Sequence, residues 1–271
     1  MRQIIRLYRF FNILSIDVVA GAVISALFFA KIFQVQIRAY GLIALGLTVW
    51  GIYTLDHLRD AKKIKHAAST SRHRFHQRHF RSLTILLCAI GVMDLGSIIF
   101  IKKQVFEWGL LLGLFVGLYL LIQHYLRFLK EFFIALLYTG GVLLLALSTK
   151  SAELTSIQYL IIVQFILIAC INLIMFSWFD QSYDQQDKQN SFVTILGGGP
   201  TKIVLYVLMF LNFGLSLLGL LLWGINFPMI ILITMNATLF LVFQFRKSLS
   251  KNDRYRLIGD AVFLFPALYL T

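Results

Sequence analysis

Residues 156 to 187 read SIQYLIIVQFILIACINLIMFSWFDQSYDQQD, and this stretch governs how the rest of the chain is read. Up to Phe179 it carries no charged residue and is long enough to cross a hydrocarbon layer of roughly 30 Å, which takes roughly 20 helical residues. The run then meets Asp180 and Asp184, with Asp187 just beyond. Residues four apart on a helix stand one above the other, so Asp180 and Asp184 present two carboxylates in one direction. Such a pair suits a hard divalent cation. Mg2+ is commonly held by one or two carboxylates together with water and phosphate oxygens, so a phosphate-bearing ligand is its natural partner.

The same pattern occurs 124 residues earlier. Tyr53-Thr54-Leu55-Asp56-His57-Leu58-Arg59-Asp60 ends another long apolar run and is followed by Lys62, Lys63 and Lys65. Either pair alone reads equally as a helix end reaching lipid headgroups with its charges solvated. Two matched pairs point to a shared site, because carboxylates beside hydrocarbon are costly and are usually kept for handling ions or substrates.

Composition sets the class. Of 271 residues, 59% are hydrophobic and 14% charged, which excludes an ordinary soluble domain. The expected fold is all-α, a single polytopic membrane bundle over 1–271. Nine spans are expected, at residues 12–33, 37–58, 82–101, 105–126, 132–149, 156–179, 202–224, 226–245 and 256–270. Asp17 and the lack of a small-residue cleavage pattern mark the first as a true helix rather than a signal peptide. Spacing of the aspartate pairs suggests a parallel internal repeat of four helices, with the ninth as a closing element. The long polar loops 59–81 and 180–201 would form a cap over one end.

The formal net charge of +13 reads as topology rather than as a nucleic-acid footprint. In the nine-span arrangement 20 of the 25 Lys and Arg fall on one side, and the other five are Lys31, Arg38, Lys102, Lys103 and Lys150. The positive-inside rule then makes the N-terminus and both aspartate pairs cytoplasmic, in an expected bacterial cytoplasmic membrane. Cys88 and Cys170 lie in apolar runs and are expected to pack in the core.

At this point the sequence resembles the UbiA-type intramembrane prenyltransferases, which carry two aspartate-rich motifs on a nine-helix bundle. Ser191 and Gly197, in Ser191-Phe192-Val193-Thr194-Ile195-Leu196-Gly197, match a serine-to-glycine segment of that family, and Tyr125, Lys130 and Gly140 resemble its fifth-helix series. The resemblance implies Mg2+-dependent transfer of a prenyl group from an isoprenyl diphosphate to a hydrophobic acceptor held among membrane lipids. It implies Asp56, Asp60, Asp180 and Asp184 as metal-holding catalytic residues and Lys63, Arg72, Lys130 and Lys188 as diphosphate binders. Tyr53, Asn172 and Asp187 would support them.

Two departures stand out. Ile52 replaces the asparagine expected four residues before Asp56, and the following loop reads Arg72-His73-Arg74-Phe75-His76-Gln77-Arg78-His79. The histidines recur every three residues, but neighbouring arginines disfavour a transition metal, so a basic loop for diphosphate or anionic lipid is the expectation. Asp17, Asp94 and Asp260 would have to face the bundle interior. Gly197-Gly198-Gly199-Pro200 lacks Walker spacing and reads as a turn before a helix. Two other functions are compatible with the pattern: an ion-coupled secondary transporter working through Asp17 or Asp94, and a catalytically silent relative that binds isoprenoid lipid.

Overall fold

The computed structural model describes residues 2–270, and among these there is no strand. The helices are α1 (Arg2–Ile13), α2 (Ile16–Phe33), α3 (Ala39–Lys63), α4 (Ser71–Arg78), α5 (Phe80–Ser97), α6 (Lys103–Leu126) and α7 (Lys130–Leu147). They continue as α8 (Ser156–Phe179), α9 (Gln181–Gln186), α10 (Phe192–Leu196), α11 (Gly198–Trp223), α12 (Phe227–Gln244), α13 (Arg246–Leu249) and α14 (Arg254–Ala261). Eight of them, α2, α3, α5, α6, α7, α8, α11 and α12, are long and apolar enough to cross a membrane. The ninth position is filled by α14 running on as a 3-10 helix, Val262–Tyr269, with Pro266 inside it. Proline has no amide donor and breaks a regular α-helix, so this closing element is shorter than the other eight.

The expected first span, 12–33, is broken. Ser15 takes a left-handed conformation (φ 57°), which ends α1 and starts α2 in a new direction. The detached α1 docks on the C-terminal segment, where the Tyr8 hydroxyl donates to the Leu257 carbonyl (3.1 Å) and Arg9 to the Asn252 carbonyl (2.9 Å). Elsewhere the predicted spans hold to within a few residues. Pro200 lies in the first turn of α11, where a missing amide donor costs nothing, and Gly197 (φ 87°) makes the turn before it.

Successive long helices pack side by side around a ring that the C-terminal element closes against α2. One seam is sparse: α5 and α6 scarcely touch. The interior is built on Phe28 and Phe29 of α2, Phe165 of α8 and Phe243 of α12, all fully buried. Small residues let α2 approach its neighbours closely, and a Cβ at Gly21 would lie 2.8 Å from the Cβ of Phe263. Polar contacts also join the spans, as where Asn236 donates to the Met209 carbonyl (3.0 Å). Outward-facing Ile99, Leu221 and Ile225 are among the most exposed apolar side chains, as lipid contact allows. This is an integral multi-pass membrane protein.

Candidate functional site

The two aspartate pairs arrive at one end of the bundle by the same route. Asp56 and Asp60 lie on the last turns of α3, whereas Asp180 ends α8 and Asp184 sits one turn on in α9, its amide donating to the Asp180 carbonyl (2.9 Å). All four carboxylates line one cavity of about 300 Å3, together with Arg9, Asn12, His57, Arg72, His73 and Arg256. The i, i+4 spacing thus brings four acids from opposite halves of the chain to a single space.

Their electrostatic situations differ. The Asp56 Oδ1 is buried without a hydrogen-bond partner. Asp60 is met by Lys63 at 3.2 Å, one turn away on the same helix. Burial pushes the Asp184 carboxyl up to about 6; Asp180 adds to this, while Ser191, Lys130 and Arg256 oppose it. Asp180 alone is fully engaged, since Oδ1 accepts from the Tyr255 hydroxyl and Oδ2 is paired with Arg256. An unpartnered buried oxygen and a desolvated carboxyl are both conditions that a cation relieves. The donor set therefore fits a hard divalent ion. Among the described residues, however, no three His, Cys, Asp or Glu side chains already converge on one point.

A second, larger cavity of about 1290 Å3 begins along α3 where the aspartates end. Ile52 and Tyr53, one turn before Asp56, line it, followed by Val49, Leu45, Ala44 and Gly41. Opposite stand α5, α6 and α7, including Val92, Leu95, Leu110, Tyr119 and Leu144. Its wall includes the sparse seam between α5 and α6, where a Cβ at Gly91, Gly109 or Gly113 would meet nothing within 4 Å. Cys88 faces this cavity rather than the core, while Cys170 is buried as expected. The apolar wall is interrupted by Asp94, Ser97 and Glu107, and the Thr48 hydroxyl donates to Asp94 at 2.7 Å.

Against solved structures, this architecture is similar to a UbiA homologue from Archaeoglobus fulgidus bound to GPP and Mg2+, at 15% identity, with 96% of each chain covered and a TM-score of 0.69. It is also similar to the apo structure of a UbiA homologue from Aeropyrum pernix K1, at 12% identity, covering 93% of this chain and 96% of that one, with a TM-score of 0.68. The chain has the UbiA fold. No family model matches its sequence, nor does any curated protein.

Within this UbiA fold, three of the four expected diphosphate binders stand outside the aspartate cavity. Lys63 is turned to Asp60, Lys130 donates to the Asn190 carbonyl, and Lys188 is exposed. Arg72 does line the cavity but is committed to structure. It donates to the carbonyl and side-chain oxygen of Asn12 (both 3.0 Å) and lies 3.8 Å from Asp260. The Asn12 amide in turn bridges Asp17 (2.5 Å) and Asp260 (2.7 Å), which explains how two carboxylates survive burial. Asn172 is not at the site: its Oδ1 faces Gly259, where a Cβ would come within 2.6 Å of it.

Asp187 has a different task from its neighbours. It accepts from the Ser69 amide (3.1 Å), the Ser69 hydroxyl (2.8 Å) and His66 (3.3 Å), and so fastens the loop after α3 to the loop after α9. The same region is held from below by Glu131, which accepts from the Phe192 amide (2.8 Å), and by Ser177, which accepts from Val193 (3.0 Å), satisfying the first amides of α10. Asp187→Asn removes the charge from a carboxylate anchoring three donors. It should destabilise the junction of these two loops by about 1–3 kcal/mol and speed proteolysis between residues 62 and 79, with helical content unchanged. Limited proteolysis checks this.

His57, His73 and Arg256 also line the cavity, and Tyr255 meets it through Asp180; His73 belongs to the basic loop expected to meet diphosphate or anionic lipid, whereas nothing in the sequence marks His57, Tyr255 or Arg256. The His57 Nδ1 and the His73 Nδ1 are buried without partners. Burial pushes the His73 and His76 imidazoles below their ordinary range. Neutral rings beside a carboxylate cluster are hydrogen-bonding groups rather than extra positive charge.

Proposed function

We propose that this protein transfers a prenyl group from an isoprenyl diphosphate to a hydrophobic acceptor inside the membrane. The observation that carries the reading is the juxtaposition, along α3, of a four-aspartate cavity and a large apolar cavity lined by Ile52 and Tyr53. A small polar chamber for a charged head, one helical turn from a chamber for a hydrocarbon tail, matches an amphiphile with a diphosphate at one end. Support also comes from UbiA homologues of the same fold that are bound to GPP and Mg2+ or to DMAPP and Mg2+.

Asp56, Asp60, Asp180 and Asp184 would hold Mg2+, which when bound supplies positive charge to the departing diphosphate. Arg256 and Arg9, already on the cavity wall, add positive charge where negative charge develops. The allylic carbon–oxygen bond breaks with its electron pair going to diphosphate. The acceptor then supplies the pair for the new carbon–carbon or carbon–heteroatom bond and loses a proton. Tyr53 and Tyr119 present aromatic faces at the apolar cavity, where they favour a developing cation and exclude water. The sparse α5–α6 seam is the route by which a lipid-soluble substrate enters from the bilayer.

The ion-coupled carrier reading needs acids free to exchange protons or ions on a path through the bundle. Asp17 is instead tied to Asn12 beside Asp260 and Arg72, and Asp94, the other acid that reading would use, accepts from the Thr48 hydroxyl. The test is incubation of the purified protein with labelled isoprenyl diphosphates, Mg2+ and a lipid extract. Prenylated lipid and released diphosphate support the reading. Absence of both across acceptor classes would reduce the chain to an isoprenoid-binding relative.

A further inference from the structure

We infer that Arg256 is a resident counter-cation of the aspartate site: it occupies Asp180 until a diphosphate arrives, then moves to the diphosphate and releases Asp180 to the metal. This rests on the functional reading above and adds an order of binding to it.

The four aspartates are not equivalent. Asp56 has a buried oxygen with no partner, and Asp60 and Asp184 line the same cavity, yet both oxygens of Asp180 are taken. Arg256 supplies one of those contacts from α14, 76 positions along the chain, and its guanidinium also lies 4.8 Å from the ring centroid of Phe176. It is held at the cavity wall and not dispersed in solvent, with its side chain 22% exposed. A guanidinium in that place does what a metal would do for one carboxylate, and it blocks the fourth metal donor while doing so.

A diphosphate changes the balance. It carries more charge than a carboxylate and offers paired oxygens that match the guanidinium fork. Arg256 loses little by leaving Asp180 for such a partner a few ångströms away in the same cavity. Asp180, once released, becomes an uncompensated carboxylate beside three others, which favours a divalent cation. Metal and diphosphate therefore bind with positive coupling, and the coupling is reciprocal by thermodynamic necessity. Arg72 cannot serve this purpose, being fixed to Asn12 and Asp260.

The experiment is a titration of the full-length purified protein with Mn2+ alone, reading free ion by its paramagnetic resonance signal. Arg256→Gln should bind Mn2+ at least tenfold more tightly than the parent protein. The gain should vanish in the Asp180→Asn/Arg256→Gln double variant, which separates release of Asp180 from a general loss of positive charge. In saturating Mg2+, Arg256→Gln should bind GPP at least tenfold more weakly. Should Arg256→Gln fail to fold, Arg256→Lys keeps the charge, loses the fork, and should show both changes in smaller degree. Equal Mn2+ affinity in parent and variant, or a gain that survives Asp180→Asn, overturns the proposal. GPP binding unchanged by Arg256→Gln overturns the hand-over. A parent protein that binds no GPP at all instead counts against the functional reading, while the Mn2+ comparison still decides whether Arg256 competes for Asp180.

Discussion

Asp184→Asn is expected to lower prenyl transfer by about 10^3-fold, the scale of losing one preorganised charge at a reacting centre, while the protein stays folded. Asp184 lines the aspartate cavity, is only partly buried, and its carboxylate is hydrogen-bonded to the Ser191 side chain, a contact the asparagine amide oxygen can still accept. Asparagine keeps its shape, so the bundle loses little. Asp60→Asn should behave alike in turnover, since its one ionic contact is with Lys63 on the same helix. The measurement is the rate of diphosphate release from a labelled substrate, read beside a thermal melt. Turnover within tenfold of the parent protein for both variants would remove the aspartates from the chemistry. Asp187→Asn is the internal contrast, because that carboxylate lies outside the cavity lining and fastens the two loops together.

The second large effect concerns chain length. Ala44 lines the apolar cavity on α3, twelve residues before Asp56, or about 18 Å along a helix rising 1.5 Å per residue. Ala44→Trp places an indole in the far part of that cavity. A short substrate such as GPP reaches less deeply and should keep its kcat/KM within about threefold. Longer isoprenyl diphosphates should lose about 100-fold or more, because each displaced methylene costs on the order of 1 kcal/mol. A series of diphosphates of graded length measures this. Equal losses at every length would place the tail elsewhere.

Much of the fold was legible because it depends on local pattern. Apolar runs of spanning length, the i, i+4 aspartates and the glycine turn at Gly197 are all short-range signals, and each appears where it was expected. The break at Ser15 was not legible. Polar Asn12, Ser15 and Asp17 do interrupt the run there, but their partners Arg72 and Asp260 are distant in the sequence. Which cations line the aspartate cavity was not legible for a related reason. Proximity in sequence favoured Lys63 and Lys188, but Lys63 is captured by its own helix neighbour Asp60, while Arg256 comes from a helix at the other end of the chain. Asp187 was visible as an extra carboxylate, yet its role depends on Ser69, 118 positions away. Asp17 and Asp260 were expected to need partners, and Asn12 supplies both from a segment that had been read as the start of a span. Residue type announced the site, whereas long-range pairing decided which residues face it.

On the proposed function, the four-aspartate cavity binds an isoprenyl diphosphate head through a divalent cation. Equilibrium binding of labelled GPP to the purified protein tests it without knowledge of the acceptor. Expected is saturable binding that requires Mg2+, is abolished by chelation, and is lost in the Asp56→Asn/Asp184→Asn double variant, with the Asp187→Asn protein still binding. Binding that is indifferent to Mg2+, or that survives loss of both aspartates, would contradict it.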